Sequence, residues 1–148
     1  GSFTDSGQAL GLNSTNSVTL GDVDADGDLD LVAGNAGVSR VYVNDGAGGF
    51  TDSGQALGFN DTRSVTLGDV DGDGDLDLVE GNSNFGTIIA DRVYVNDGAG
   101  NFTDSGQALG ASGTQSVTLG DVDGDGDLDL VAGTLVAVPT RVYINLTN

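Results

Sequence analysis

Apolar residues along this chain recur in short alternating runs, not at helical spacing. Ser17-Val18-Thr19-Leu20, Ser64-Val65-Thr66-Leu67 and Ser116-Val117-Thr118-Leu119 alternate polar with apolar positions, the two-residue period of a half-buried strand. Leu-Asp-Leu-Val follows at 29–32, 76–79 and 128–131, and a β-branched and aromatic run at 40–44, 92–96 and 141–145. Phe-Thr-Asp-Ser-Gly-Gln-Ala-Leu, at 3–10, 50–57 and 102–109, is a more polar fourth strand candidate. Asn-Asp-Gly before two of its copies supplies residues that tolerate positive φ in a tight turn. The pattern predicts an all-β chain of short antiparallel strands.

These strands belong to one unit written three times. FTDSGQALG is unchanged at 3–11, 50–58 and 102–110, and RVY recurs at 40–42, 92–94 and 141–143. Repeats near 50 residues signal solenoids, propellers or arrays, in which no unit buries its own apolar face. Four antiparallel strands per period, the first most apolar and the last most polar, predict three four-stranded β-propeller blades in a single repeat domain. The units run approximately 3–49, 50–101 and 102–148. The segment between the second and third strands differs in each copy, at 35–39, 82–91 and 134–140. In an up-and-down blade these variable loops share one face, and the acidic loops and NDGAG turns share the other. Variable loops on a constant scaffold usually carry binding.

The acidic loops are the candidate chemistry. They read DVDADGDLD (22–30), DVDGDGDLD (69–77) and DVDGDGDLD (121–129). Carboxylates stand at positions 1, 3, 5 and 9, with glycine at position 6 for a sharp turn: Asp22, Asp24, Asp26 and Asp30; Asp69, Asp71, Asp73 and Asp77; Asp121, Asp123, Asp125 and Asp129. Alternate acids so close together repel one another unless a hard cation sits among them, and oxygen-only ligands suit Ca²⁺. Three Ca²⁺ sites per chain are expected. The second loop also meets an EF-hand pattern through Glu80, but Ala33 and Ala132 hold that position in the other copies and the flanks are strands, not helices. Glu80 is expected instead at the end of the second strand near the variable face, in contact with a ligand or with solvent.

DxDxDGDxD after a β-branched strand, within a four-strand unit of this length, resembles the FG-GAP or VCBS repeat, which builds the β-propeller of integrin α subunits and of many bacterial surface and secreted proteins. The resemblance covers essentially the whole chain. It implies that the side chains above bind Ca²⁺ together with the position-7 carbonyls of Asp28, Asp75 and Asp127, and that the protein is extracellular or on a cell surface. Two departures stand out: such propellers commonly have seven blades against three here, and the Phe-Gly…Gly-Ala-Pro signature is only loosely present.

The formal net charge of −19, from 23 acids and four arginines, is in large part metal-site charge. It still argues against nucleic acid or an anionic membrane as partner, and no apolar run approaches the roughly 20 residues of a membrane span. Without His, Cys or Lys, the usual bases and activated nucleophiles are missing, and no enzyme is expected. Arg40, Arg92 and Arg141 are expected to pair with acids at a unit's edge, the alternative being a ring of cations that grips an acidic or carboxylate-bearing ligand. Ile88-Ile89 and Leu135 to Val138 are apolar stretches within variable loops. Two functions remain open: a binding or adhesion module for a protein or glycan, or a natural or engineered repeat scaffold with no specific ligand. The near-identity of the copies leans toward the second.

Three blades cannot close a propeller of the usual four to eight. The chain opens with a fourth-strand segment (3–10) and its last unit lacks one, so each N-terminal strand is expected to complete the last blade of a second copy. A homodimer of six blades is the first expectation and a trimer of nine the runner-up. A fragment of a longer propeller in a non-native assembly is the third option.

Overall fold

A computed structural model describes residues 1–84, 89–110, 113–135 and 137–147. Its strands are β1 (Thr15–Gly21), β2 (Asp30–Asn44), β3 (Phe50–Asp52), β4 (Leu57–Gly68), β5 (Asp77–Asn82), β6 (Asp91–Asn96), β7 (Phe102–Leu109), β8 (Thr114–Gly120), β9 (Asp129–Thr134) and β10 (Arg141–Tyr143). All pairings are antiparallel, and among the described residues there is no helix.

The second unit holds the complete pattern: β4, β5, β6 and β7 pair in sequence order. Gly68 faces Asp77, Val79 faces Val93, and Asn96 faces Phe102. The first unit builds the same meander with a shorter link. Asn44 N–H donates to Asp30 Oδ1 at 2.8 Å, whereas fully extended strand would put those residues roughly 45 Å apart. Thus β2 doubles back on itself as a hairpin around Asn35–Ser39, where Gly37 has φ 118°. Among the described residues the third unit has three strands, in the order β10-β9-β8, and no sheet closes on itself.

Residues 3–10 carry no strand, although the same sequence forms β7 at 102–109. The difference is one of neighbours, since an extended segment becomes a strand only when a second backbone satisfies its ladder. Two sequence expectations fall partly outside the described residues, at Ile88 and Val136. Of the apolar stretches they belong to, Leu135 and Val138 are partly exposed.

Apolar residues gather between successive units. One cluster, between the first and second, comprises Val23, Val32, Val41, Leu57, Val65, Leu78, Tyr94 and Phe102. The other, between the second and third, contains Val79, Val93, Val117, Leu130 and Ala132, with Val70, Leu109, Leu119 and Tyr143 packed against it. Glycine allows the close approach: a Cβ on Gly68 would lie 2.8 Å from both Leu119 and Leu128 of the next unit, so the repeated Leu-Gly step is a packing socket. Ser17 Oγ accepts from Val65 N–H at 3.2 Å, and Ser64 Oγ from Val117 N–H at 3.1 Å. These bonds repeat the same cross-link at each junction.

Candidate metal centre

Each acidic loop leaves a first strand and returns into a second, so the ladder beneath it fixes its two ends. Gly21 faces Asp30, Gly68 faces Asp77 and Gly120 faces Asp129. Alternate backbone N–H groups within each loop turn inward onto carboxylates. Asp26 N–H donates to Asp24 Oδ1, and Asp28 N–H to Asp26 Oδ1. The second and third loops repeat both bonds. Gly27, Gly74 and Gly126, all at positive φ, donate to the position-1 carboxylates Asp22, Asp69 and Asp121.

Positions 1, 3 and 9 converge. Asp22, Asp24 and Asp30 each offer an oxygen within 4.8 Å of the others, as do Asp69, Asp71 and Asp77, and Asp121, Asp123 and Asp129. The position-5 carboxylates Asp26, Asp73 and Asp125 fall outside these trios. Asp28 and Asp75, expected to contribute a carbonyl, turn their carboxylates toward Gly46 and Gly98 of the NDGAG turns, where a Cβ would lie 2.5 Å from an oxygen. Loop and turn therefore lie side by side on one face, as the strand pattern predicts.

The position-9 aspartates are fully buried, and their oxygens tie the loop to the sheet. Asp77 Oδ2 accepts from Val70 N–H and its Oδ1 from Asn96 N–H, both at 2.9 Å. Asp30 takes the same bonds from Val23 and Asn44, and Asp129 from Val122 and Asn145. Those N–H groups, Val122 first and then Asn145, hold the Asp129 carboxyl below its ordinary value. The position-3 acids move the other way. Loss of water raises Asp24 and Asp71, and the charges of Asp30 and Asp77 raise them further. Loss of water also raises Asp123, with the charges of Asp125, Asp129 and Asp121 adding to it. Position-3 carboxyls that resist ionisation beside other converging carboxylates form a place where a cation is favoured.

The donor set fits Ca²⁺: all are hard carboxylate oxygens, each with lone pairs beyond those taken by backbone N–H groups. Asp22 Oδ1 is buried with no hydrogen-bond partner, although Asp69 Oδ1 and Asp121 Oδ1 accept from Gly72 and Gly124 at 2.7 and 2.6 Å. Position 4 of the first loop is Ala25, held at φ 61°.

Three asparagines not marked as site residues by the sequence complete the arrangement. Asn96 Nδ2 donates to Leu76 O of its own loop and, at 2.8 Å, to Val23 O in the loop of the preceding unit. Asn145 does the same toward Leu128 and, at 2.7 Å, Val70. Asn44 reaches Leu29 of its own loop. Asn96 and Asn145 thus link their own loops to the loop before. Their recurrence after RVYV or RVYI was the available signal, but Asn-Asp-Gly reads first as a turn.

On the opposite side, Arg92 lies 3.7 Å from Asp104, and Arg40 donates to Gln55 O. Arg63 pairs with Asp61 at 2.6 Å. Glu80, open to solvent or ligand in the sequence reading, is 0% exposed and accepts from Tyr94 Oη, while its Oε1 has no partner. Burial raises its pKa to about 7; the nearby hydroxyls of Ser39, Tyr94 and Thr62 oppose that rise, and the charge of Asp104 adds to it.

A family model described as FG-GAP-like repeat matches residues 22–80 and 82–132. No curated protein matches the chain.

Proposed function

We propose, from the premise that this chain belongs to the FG-GAP-like repeat family, that it is a calcium-binding β-propeller module that binds a protein or glycan through its variable loops. The units are then propeller blades, each first strand innermost. Three carboxylate trios at equivalent places carry the proposal. Asp22, Asp24 and Asp30, with their counterparts, would hold one Ca²⁺ per loop, with Asp26, Asp73 and Asp125 and the carbonyls of Asp28, Asp75 and Asp127 filling further positions. The ion would supply charge neutralisation and rigidity; no bond is made or broken there. With all three loops rigid on one face, the unequal loops at 35–39, 82–91 and 134–140 are the place where specificity differs. Such a module works outside the cell, where Ca²⁺ is plentiful, and without catalysis.

Calorimetric titration with Ca²⁺ should give three ions per chain, and a stoichiometry of one or none would overturn the metal reading. A glycan array and a pull-down from extracellular matrix, each run with Ca²⁺ and with chelator, test the adhesion role. Calcium-dependent capture supports it. No capture in either leaves the second reading, a repeat scaffold without a specific ligand, which the unchanged nine-residue copies favour.

A further inference from the structure

Every residue of the first apolar cluster but one has its repeat equivalent in or against the second. Val23, Val32, Val41, Leu57, Val65, Leu78 and Tyr94 of the first have Val70, Val79, Val93, Leu109, Val117, Leu130 and Tyr143 as their equivalents in the second. Phe102, 9% exposed in the first cluster, has no equivalent. Where it would lie is a groove of about 570 Å³ lined by Val70, Val79, Val93, Leu109, Leu130 and Tyr143. Phe3, which opens an identical FTDSGQALG segment, is 106% exposed.

That segment is already half docked. Gln8 Nε2 donates to Gly48 O at 2.7 Å and Gln8 Oε1 accepts from Phe50 N–H at 2.9 Å. Gln55 makes the same pair of bonds to Gly100 and Phe102 of the following unit. Residues 3–10 therefore lie against the first unit as the outer strand of a unit preceding it. The exposed ends are complementary as well. Gly21 and Gly68 are each filled by two leucines of the next unit, whereas a Cβ on Gly120 would meet nothing within 4 Å. The matching leucines, Leu20 and Leu29, are each 54% exposed at the other end of the chain.

We infer that residues 3–10 of a second copy of this chain form the missing fourth strand of the third unit, and that the exchange is mutual in a two-fold ring. The inference rests on the propeller reading above. In the register of β6 with β7, Phe3 lies opposite the partner's Asn145, Asp5 opposite the partner's Tyr143, and Ala9 opposite the partner's Arg141. Asp5 then stands to that arginine as Asp104 stands to Arg92. Leu20 and Leu29 fill the socket at the partner's Gly120, and Asn44 reaches the partner's Val122 carbonyl as Asn96 reaches that of Val23. Two chains of three units make six blades, within the usual range of closed propellers, and closure removes the exposed edge of β10.

Light scattering of the 148-residue chain in Ca²⁺ buffer should give twice the 14.7 kDa chain mass. Phe3→Ala should weaken the dimer roughly a hundredfold or more, as deletion of a buried aromatic does. Gly120→Val, for which the lone chain has open space, should yield a folded monomer that still takes up Ca²⁺. A wild-type monomer with a cooperative melt and intact Ca²⁺ uptake would overturn the exchange alone. A trimer would overturn the two-fold ring, as would Gly120→Val remaining dimeric. Loss of Ca²⁺ uptake in the wild type would instead strike the functional reading.

Discussion

At the scale of single residues, Glu80 is a carboxyl buried at a cost. Burial raises its folded-state value from 4.5 to about 7, so the unfolded chain releases this proton first. Stability fully present below pH 4.5 is therefore lost as pH rises through about 7. Above that, the loss approaches roughly 3 kcal/mol at 1.36 kcal/mol for each pKa unit. Glu80→Gln keeps the volume and removes the ionisation. Its melting temperature should exceed the wild type's at pH 8 and converge with it at pH 4.5, and parallel profiles would refute the assignment. Ala25 is a second residue held at a cost. At φ 61° a non-glycine residue gives up about 1 kcal/mol, and Asp22 Oδ1 lacks the N–H that Gly72 and Gly124 supply in the other loops. Ala25→Gly should raise the melting temperature by a few degrees, or at least not lower it, despite glycine's larger unfolded-state entropy.

At the scale of elements, the acidic loop braces two strands to each other and its own unit to the next. Asp69 belongs to one trio alone, so Asp69→Ala should cut Ca²⁺ stoichiometry from three to two and leave the remaining affinities nearly unchanged. Unaltered stoichiometry in a calorimetric titration would count against the site. Asn96 spans two units through its side-chain amide. Asn96→Ala leaves the carbonyls of Val23 and Leu76 short of a buried donor, a loss of about 1–3 kcal/mol. Chemical denaturation should show it, whereas the corresponding change at Asn44, with a bond only within its own unit, should cost less in the monomer.

At the scale of the whole molecule, each unit stacks on its neighbour and little of the core lies within one unit. A cation that binds only the folded loops stabilises that stack by mass action. Melting temperature should therefore fall by many degrees when excess chelator replaces Ca²⁺, and identical curves would contradict the metal reading. Because the trios sit where the strands of each unit are tied together, Ca²⁺ removal should lower the whole transition and not melt one unit alone.

The sequence alone carried the all-β class, the strand order within a unit and the acidic loops, because period-two alternation and fixed carboxylate spacing are local properties that survive without knowledge of neighbours. The Asp22, Asp24 and Asp30 trio was legible for that reason. Tertiary structure alone decided what depends on contacts between distant residues. Glu80 stands out from Ala33 and Ala132 in the sequence, but its complete burial depends on what packs around it, and Asn96 acts through a carbonyl 73 positions away. The FTDSGQAL segment differs most: identical letters form β7 at 102–109 and no strand at 3–10, because a strand's hydrogen bonds and its buried phenylalanine are supplied by the surface beside it.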